Sequence, residues 1–444
     1  MDEHENGHTR FIVALLLTAI GAAAFAVTFR LSLNLIYRTL YSAQSVVEAI
    51  TQLPVWLRLA VPTMGATAAG LLSRWQLSRT QGVSNVMEAV ALGKMKLSLR
   101  VTAWRVAGSW SAIASGLSIG REGPLIEFGG ALGSTVARVF GVSLNQARVL
   151  VAAGTAAGFA AAYNTPFAAV LFVLETIVGI VVLEALLPVM AATVIATALT
   201  RLVVGGGPIY GPRAFAVASL FEFATYALLG VLAAGAAFAF KGTLAFGERL
   251  VERHPMSQPW LAACGGLLVG SIAVFLPSVA GNGYEPLNLI LDQRLPAAAL
   301  AFLIVAKITA TTGSVASGVP GGVFTPVLLV GGAAGSLYGL ALQGLGFPAV
   351  ASPGSYALVG MAATTAATIH APLTAAVMVF ELSGDYPIVL PLLLATVIAT
   401  WLSRSLGGES VYEAELRRRG VGWELTLDGR TIDDARSTSV REDS

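Results

Sequence analysis

Long apolar blocks, such as Phe11 to Phe29, Leu183 to Thr200 and Trp260 to Phe275, constrain the fold of this 444-residue chain more than any other feature. Each approaches the roughly 20 residues an α-helix needs to cross a bilayer. The spacing predicts roughly ten to thirteen such segments, some too short to cross at full thickness. Charged residues make up only 12% and hydrophobic ones 55%, with a mean hydropathy of +0.75. A water-soluble chain would need about twice that charge, so an all-α polytopic membrane protein is expected. The polar start MDEHENGHTR lacks the cationic character of a signal peptide, and the first span is expected to be retained.

Several function classes are disfavoured at once. The single cysteine, Cys264, leaves no intramolecular disulfide or cysteine metal cluster, and no metal site is expected on His4, His8, His254 and His370. No cofactor is implied. An intramembrane enzyme is not the expected reading. A net charge of +2 does not point to nucleic acid. The basic run Arg417, Arg418 and Arg419 after the last apolar block reads as a cytoplasmic flank.

Glycine, with 48 copies, and proline interrupt the apolar blocks. Broken helices are tolerated in a membrane where the freed backbone is buried or lines a polar path. The interruptions also repeat. Ser115 to Ser134 (SGLSIGREGPLIEFGGALGS) laid on Ser317 to Ser336 (SGVPGGVFTPVLLVGGAAGS) matches at nine of twenty positions, and Arg105 and Lys307 fall in register upstream. A second pairing, shifted by four residues, sets Gly154 to Glu175 on Gly360 to Glu381. Such duplication is the pattern of secondary transporters, whose site lies where two halves meet.

GREGP (Gly120 to Pro124) and GGVFTP (Gly321 to Pro326) each place glycine ahead of proline and an apolar run, as a helix start does. Two helix N-termini converging at mid-membrane would hold a small anion on N–H donors and dipoles without a full positive charge. Glu122 is the sharpest candidate, because a carboxylate there competes with the anion for the same donors and leaves when protonated. The bland alternative is a simple helix cap. Arg121 could be its partner or raise anion concentration at the mouth. Glu127, Glu175, Glu184 and Glu381 also lie in or beside apolar blocks, with Glu184 and Glu381 read as interhelical anchors. Tyr412 could offer its hydroxyl to an anion or serve as an interfacial tyrosine.

In this order, GREGP, GGVFTP and the late GGESVY strongly resemble the CLC family of chloride channels and chloride/proton antiporters, over nearly the whole chain. GNGY (Gly281 to Tyr284) and SGVPGGVFTP are similar to the short bacterial ClcB-type branch, which lacks cytosolic CBS domains. The resemblance implies a CLC-type fold of two inverted repeats of broken, tilted helices, a homodimer with one pore per subunit, and a bacterial inner-membrane location. The expected divisions are a cytoplasmic segment 1–10, repeats 11–204 and 215–406, and a short helix with a cytoplasmic tail over 407–444. By motif, Glu122 would be the gate, the N–H groups of Val323 and Phe324 would hold the anion, with Gly123 and Arg121 beside it, and Tyr412 would close the inner side.

Two positions depart from the family pattern. The family's GSGIP motif, which supplies an anion-binding serine, is replaced by Thr80-Gln81-Gly82-Val83-Ser84, leaving Gln81 or Ser84 as the stand-in. The inner proton-transfer glutamate of the exchangers falls on Thr176, one residue after Glu175, and threonine does not relay protons as a carboxylate does. The expected function is chloride transport gated by Glu122, as a passive channel or a chloride/proton antiporter. The alternative is a cation-coupled carrier of an organic solute.

Overall fold

The computed structural model describes residues 2–73, 82–93, 97–179, 183–211, 213, 215, 219, 221–254, 256–347, 350–421, 424–426 and 429–431. In the first half the helices are α1 (Asp2–Leu40), α2 (Val46–Gln52), α3 (Val55–Ser73), α4 (Gly82–Leu92), α5 (Leu99–Ala114), α6 (Glu122–Phe140), α7 (Leu144–Tyr163), α8 (Pro166–Phe172) and α9 (Leu183–Val204). A π-helical turn, Val173–Val178, follows α8. The second half holds α10 (Glu222–Arg253), α11 (Gln258–Phe275), α12 (Tyr284–Leu291), α13 (Ala297–Ala316), α14 (Phe324–Gly344), α15 (Pro353–Ile369), α16 (Pro372–Ser383) and α17 (Val389–Ser405). Helix α18 (Val411–Arg418) closes the helical part, and a short antiparallel pair, β1 (Glu424–Thr426) with β2 (Gly429–Thr431), lies in the tail. Residues 2–10, expected as a segment ahead of the first span, form the opening turns of α1.

Among the described residues seven helices are long and apolar enough to cross a membrane, and α1, α9 and α11 among them carry the three apolar blocks named from the sequence. The many short or broken helices between them are the interruptions that Gly and Pro impose. Pro166, Pro353 and Pro372 each open a helix, where a missing N–H costs nothing.

The duplication seen in the sequence is a structural one. Helices α6 and α14 begin at Glu122 and Phe324, which the first alignment pairs. Helices α7 and α15 end on Asn164 and His370, paired by the second alignment, each in the left-handed region at φ 59° and 57°. Gly120 and Gly322, again a pair, exchange both backbone bonds: Gly120 N–H donates to Gly322 O at 2.7 Å and Gly322 N–H to Gly120 O at 3.0 Å. Equivalent residues can bond each other reciprocally only across a local twofold axis, and the pairing is antiparallel. The second half is therefore the first turned over.

The same axis relates side-chain contacts. Ser109 donates to Pro320 O, while Ser118 and Thr311, their equivalents, share a hydroxyl contact of 2.9 Å. Glu175 accepts from Leu373 N, Thr374 N and Thr374 Oγ1 at the start of α16, and Glu381 accepts from Phe167 N and Ala168 N at the start of α8. Each half caps a helix of the other with a carboxylate, the charge favoured at a helix N-terminus. The anchor role expected for Glu381 thus extends to Glu175.

Helix α15, and α7 from Leu150 onward, are almost wholly buried, as central helices are. They cross α6 and α14 at glycines. A Cβ on Gly129 or Gly154 would lie 2.0 or 2.1 Å from the other's carbonyl oxygen, and the equivalent pair Gly331 and Gly360 gives 2.4 Å both ways. Small residues permit the backbones to approach this closely. That contact sets how far the starts of α6 and α14 reach toward each other.

Candidate functional site

The starts of α6 and α14 meet at the twofold axis, and Glu122, 1% exposed, lies between them. Its Oε1 accepts from Phe324 N at 2.8 Å and from Thr325 N at 3.4 Å, the free N–H groups of α14's first turn. Its Oε2 accepts from Tyr163 Oη at 2.9 Å and Thr325 Oγ1 at 3.1 Å, and those two hydroxyls are 2.7 Å apart. Gly120 and Gly322 make room: a Cβ on either would come within 2.1 Å of the carboxylate. The Glu122 carboxylate belongs to the first half but occupies the helix-end site of the second.

Arg121 does not form an ion pair with Glu122. Its guanidinium donates from Nη2 to Ala162 O at 3.1 Å and sits 4.8 Å from the centre of the Tyr284 ring. Its charge stays beside the site without neutralising the carboxylate. Gly123 brings α6 against the second half, where a Cβ would meet Gly322 N at 3.1 Å. Val323 is the N-cap residue of α14 and is buried, but the bonds to the Glu122 carboxylate come from the next two residues, Phe324 and Thr325.

A file of rings runs through the site. Tyr412 on α18, buried, stands edge-on to Phe172 at 6.4 Å, and Phe172 stacks on Phe159 at 4.7 Å. Phe159 lies 5.6 Å from Phe324 and 5.0 Å from Tyr163, and Tyr163 leads to Tyr284 and then Tyr210. Tyr412 and Arg121 therefore lie toward opposite ends of this file, with the Glu122 carboxylate between them.

Ser84 is buried but turned to a different task. Its hydroxyl donates to Glu415 Oε2 at 3.0 Å. Glu415 also receives Arg419 at 2.5 Å, and Arg419 binds Asn85 and Glu88. Asn85 in turn donates to Glu127, which pairs with the buried Arg105 at 2.9 Å. Next to a carboxylate, Ser84 is poorly placed to serve an anion. Gln81, the other stand-in, lies outside the described residues. Arg417 and Arg418 pair with Glu409 and Glu248, so the basic run is tied into the fold through ion pairs.

Thr176 is buried in the π-helical turn, and Glu175 beside it is held by the start of α16. The structure thus puts no carboxylate at the Thr176 side chain's own position. Sequence reasoning missed Tyr163 and Thr325. Thr325 stands inside GGVFTP and was legible as a neighbour of Phe324, whereas Tyr163 is separated from Glu122 by 41 positions and has no motif of its own.

The comparisons with known proteins agree with this fold. Residues 64–404 match the family described as voltage gated chloride channel. A Ralstonia nicotianae protein described as ClcB-like is 38% identical over 413 residues, 91% of this chain and 96% of the relative. The voltage-gated ClC-type chloride channel ClcB of Escherichia coli is 34% identical, covering 90% and 97%. A slow cyanobacterial Cl−/H+ antiporter shares the fold with a TM-score of 0.83 at 23% identity, over 92% of this chain and 98% of that one. A CLC-type fluoride/proton antiporter does so with a TM-score of 0.76 at 21% identity, over 93% and 98%. With its inverted halves and two helix starts facing each other across Gly120 and Gly322, this multi-pass membrane protein belongs to the CLC family of voltage-gated chloride channels.

Proposed function

We propose that this chain carries chloride, or a similar small monovalent anion, across a bacterial inner membrane, and that Glu122 is the gate of its path. The observation that carries the reading is the seat of the Glu122 carboxylate on Phe324 N and Thr325 N. A carboxylate oxygen stands in for a mobile anion there, because both accept from the same N–H donors. Protonation of Glu122, or its rotation away, would free those donors for the transported ion. Tyr412, at the α18 end of the ring file, is placed to narrow the inner side.

Thr176 cannot relay a proton as a carboxylate does, and Glu175 is committed to capping α16. These facts favour passive, channel-like flow over proton exchange. Relatives named as chloride channels and as a Cl−/H+ antiporter support the anion, and the family supports a homodimer with one path per subunit. A cation-coupled carrier of an organic solute is not favoured, since the converging ends present N–H donors rather than a carbonyl cage.

Glu122→Gln removes the charge while keeping the shape. Chloride flux through this variant, measured in liposomes, is expected to be largely independent of pH. PH dependence equal to that of the native chain would rule Glu122 out as the gate.

A further inference from the structure

We propose that the hydroxyls of Tyr163 and Thr325 are anion ligands in this chain, filling the role left open where the family's serine motif is absent. The inference rests on the reading of Glu122 as a gate that occupies the anion's place.

The argument is one of hydrogen-bond accounting. Tyr163 and Thr325 are both fully buried and both contact Glu122 Oε2. Between them they own two hydroxyl protons, and their mutual 2.7 Å contact can absorb one. The other must go to the carboxylate. When the Glu122 side chain departs, one hydroxyl proton and the Phe324 N–H are left aimed at the vacated position. Buried donors do not stay unpaired without cost, so the site then requires an acceptor, and a chloride ion arriving along the path supplies it.

Two further observations support ligand over scaffold. The hydroxyls are not demanded by the repeated fold: the equivalents of Tyr163 and Thr325 in the other half are Ile369 and Gly123, which have none. The same helix ends pack without them. Meanwhile Ser84, the nearest serine to the lost motif, spends its hydroxyl on Glu415. The donors have moved from the α4 side of the path to the end of α7 and the start of α14.

Chloride binding to purified dimensionally intact protein in detergent, followed by isothermal titration calorimetry, separates the two roles. In Glu122→Ala there is no carboxylate for the hydroxyls to cap, so any remaining effect of theirs is on the anion. Chloride is expected to bind the triple variant Glu122→Ala, Tyr163→Phe, Thr325→Val roughly 10- to 100-fold more weakly than Glu122→Ala alone, as for loss of charge-assisted hydrogen bonds. Glu122→Ala with Thr325→Ser, which keeps the hydroxyl, is expected to bind like Glu122→Ala. Should the triple variant fail to fold, Glu122→Ala with Tyr163→Phe and Thr325→Ala, which also removes both hydroxyls, carries the test, with a loss expected in the same direction. Equal affinity in the presence and absence of the hydroxyls would overturn the inference and leave the gate reading standing. No chloride binding to Glu122→Ala at all would overturn both.

Discussion

Gly154→Ala tests whether the close crossing of α6 and α7 is what sets the site. The added Cβ would lie 2.1 Å from the carbonyl oxygen of Gly129 and 2.9 Å from Thr18 Cγ2, where ordinary contact begins at 3.4 Å. The first obstacle is backbone and cannot rotate aside, so the helices must separate by about 1.3 Å at that point. Overpacking of this kind costs about 1–3 kcal/mol. The upper end is expected, because the strain falls on two rigid helices. Gly235→Ala on α10 is the control: nothing lies within 4 Å of its Cβ, and replacing an interior helical glycine by alanine is worth up to ~1 kcal/mol in favour of the helix. Thermal unfolding in detergent should show a clearly lower midpoint for Gly154→Ala and an unchanged or higher one for Gly235→Ala. Chloride flux should fall in the first only, since separating α6 from α7 pulls Tyr163 from Glu122. A Gly154→Ala protein with the native midpoint and native flux would refute the packing argument.

The reciprocal caps predict that Glu175→Gln and Glu381→Gln each destabilise the fold by about 1–2 kcal/mol, to similar extents, since each removes a charge from two N–H donors at a helix start. Unfolding midpoints that differ widely between the two would contradict the symmetry. Arg105→Met leaves Glu127 buried without its ion-pair partner and should cost about 3–5 kcal/mol. Adding Glu127→Met should restore part of that loss, and a double variant less stable than the single one would argue against the pair. Ser84→Ala, by contrast, should leave chloride affinity near the native value, because that hydroxyl serves Glu415; a tenfold loss would return Ser84 to the anion path.

Much of this architecture was legible because membrane burial and duplication leave strong marks. The apolar blocks located α1, α9 and α11, and the alignment of GREGP with GGVFTP put two helix starts at equivalent places, which the structure joins through Gly120 and Gly322. Glu122 was legible because a carboxylate is costly inside an apolar run. What the linear order hid is which half serves which. The Glu122 side chain crosses to the second half's helix, and Glu175 and Glu381 cap helices about 200 residues away, contacts that no local periodicity encodes. Ser84 was read from its spacing to a motif, but its neighbour Glu415 comes from the far end of the chain. Tyr163 was hidden for the same reason: it closes an alanine-rich helix whose partner helix ends in isoleucine.

The most direct test of the central claim is chloride efflux from liposomes holding the purified protein, with a pH electrode following protons while a potassium gradient and valinomycin set the membrane potential. Chloride flux without uphill proton movement is the predicted result. Proton movement driven uphill by chloride would keep the anion path but contradict channel-like flow, requiring an inner route that bypasses Thr176. Absence of any anion flux would contradict the account at its root.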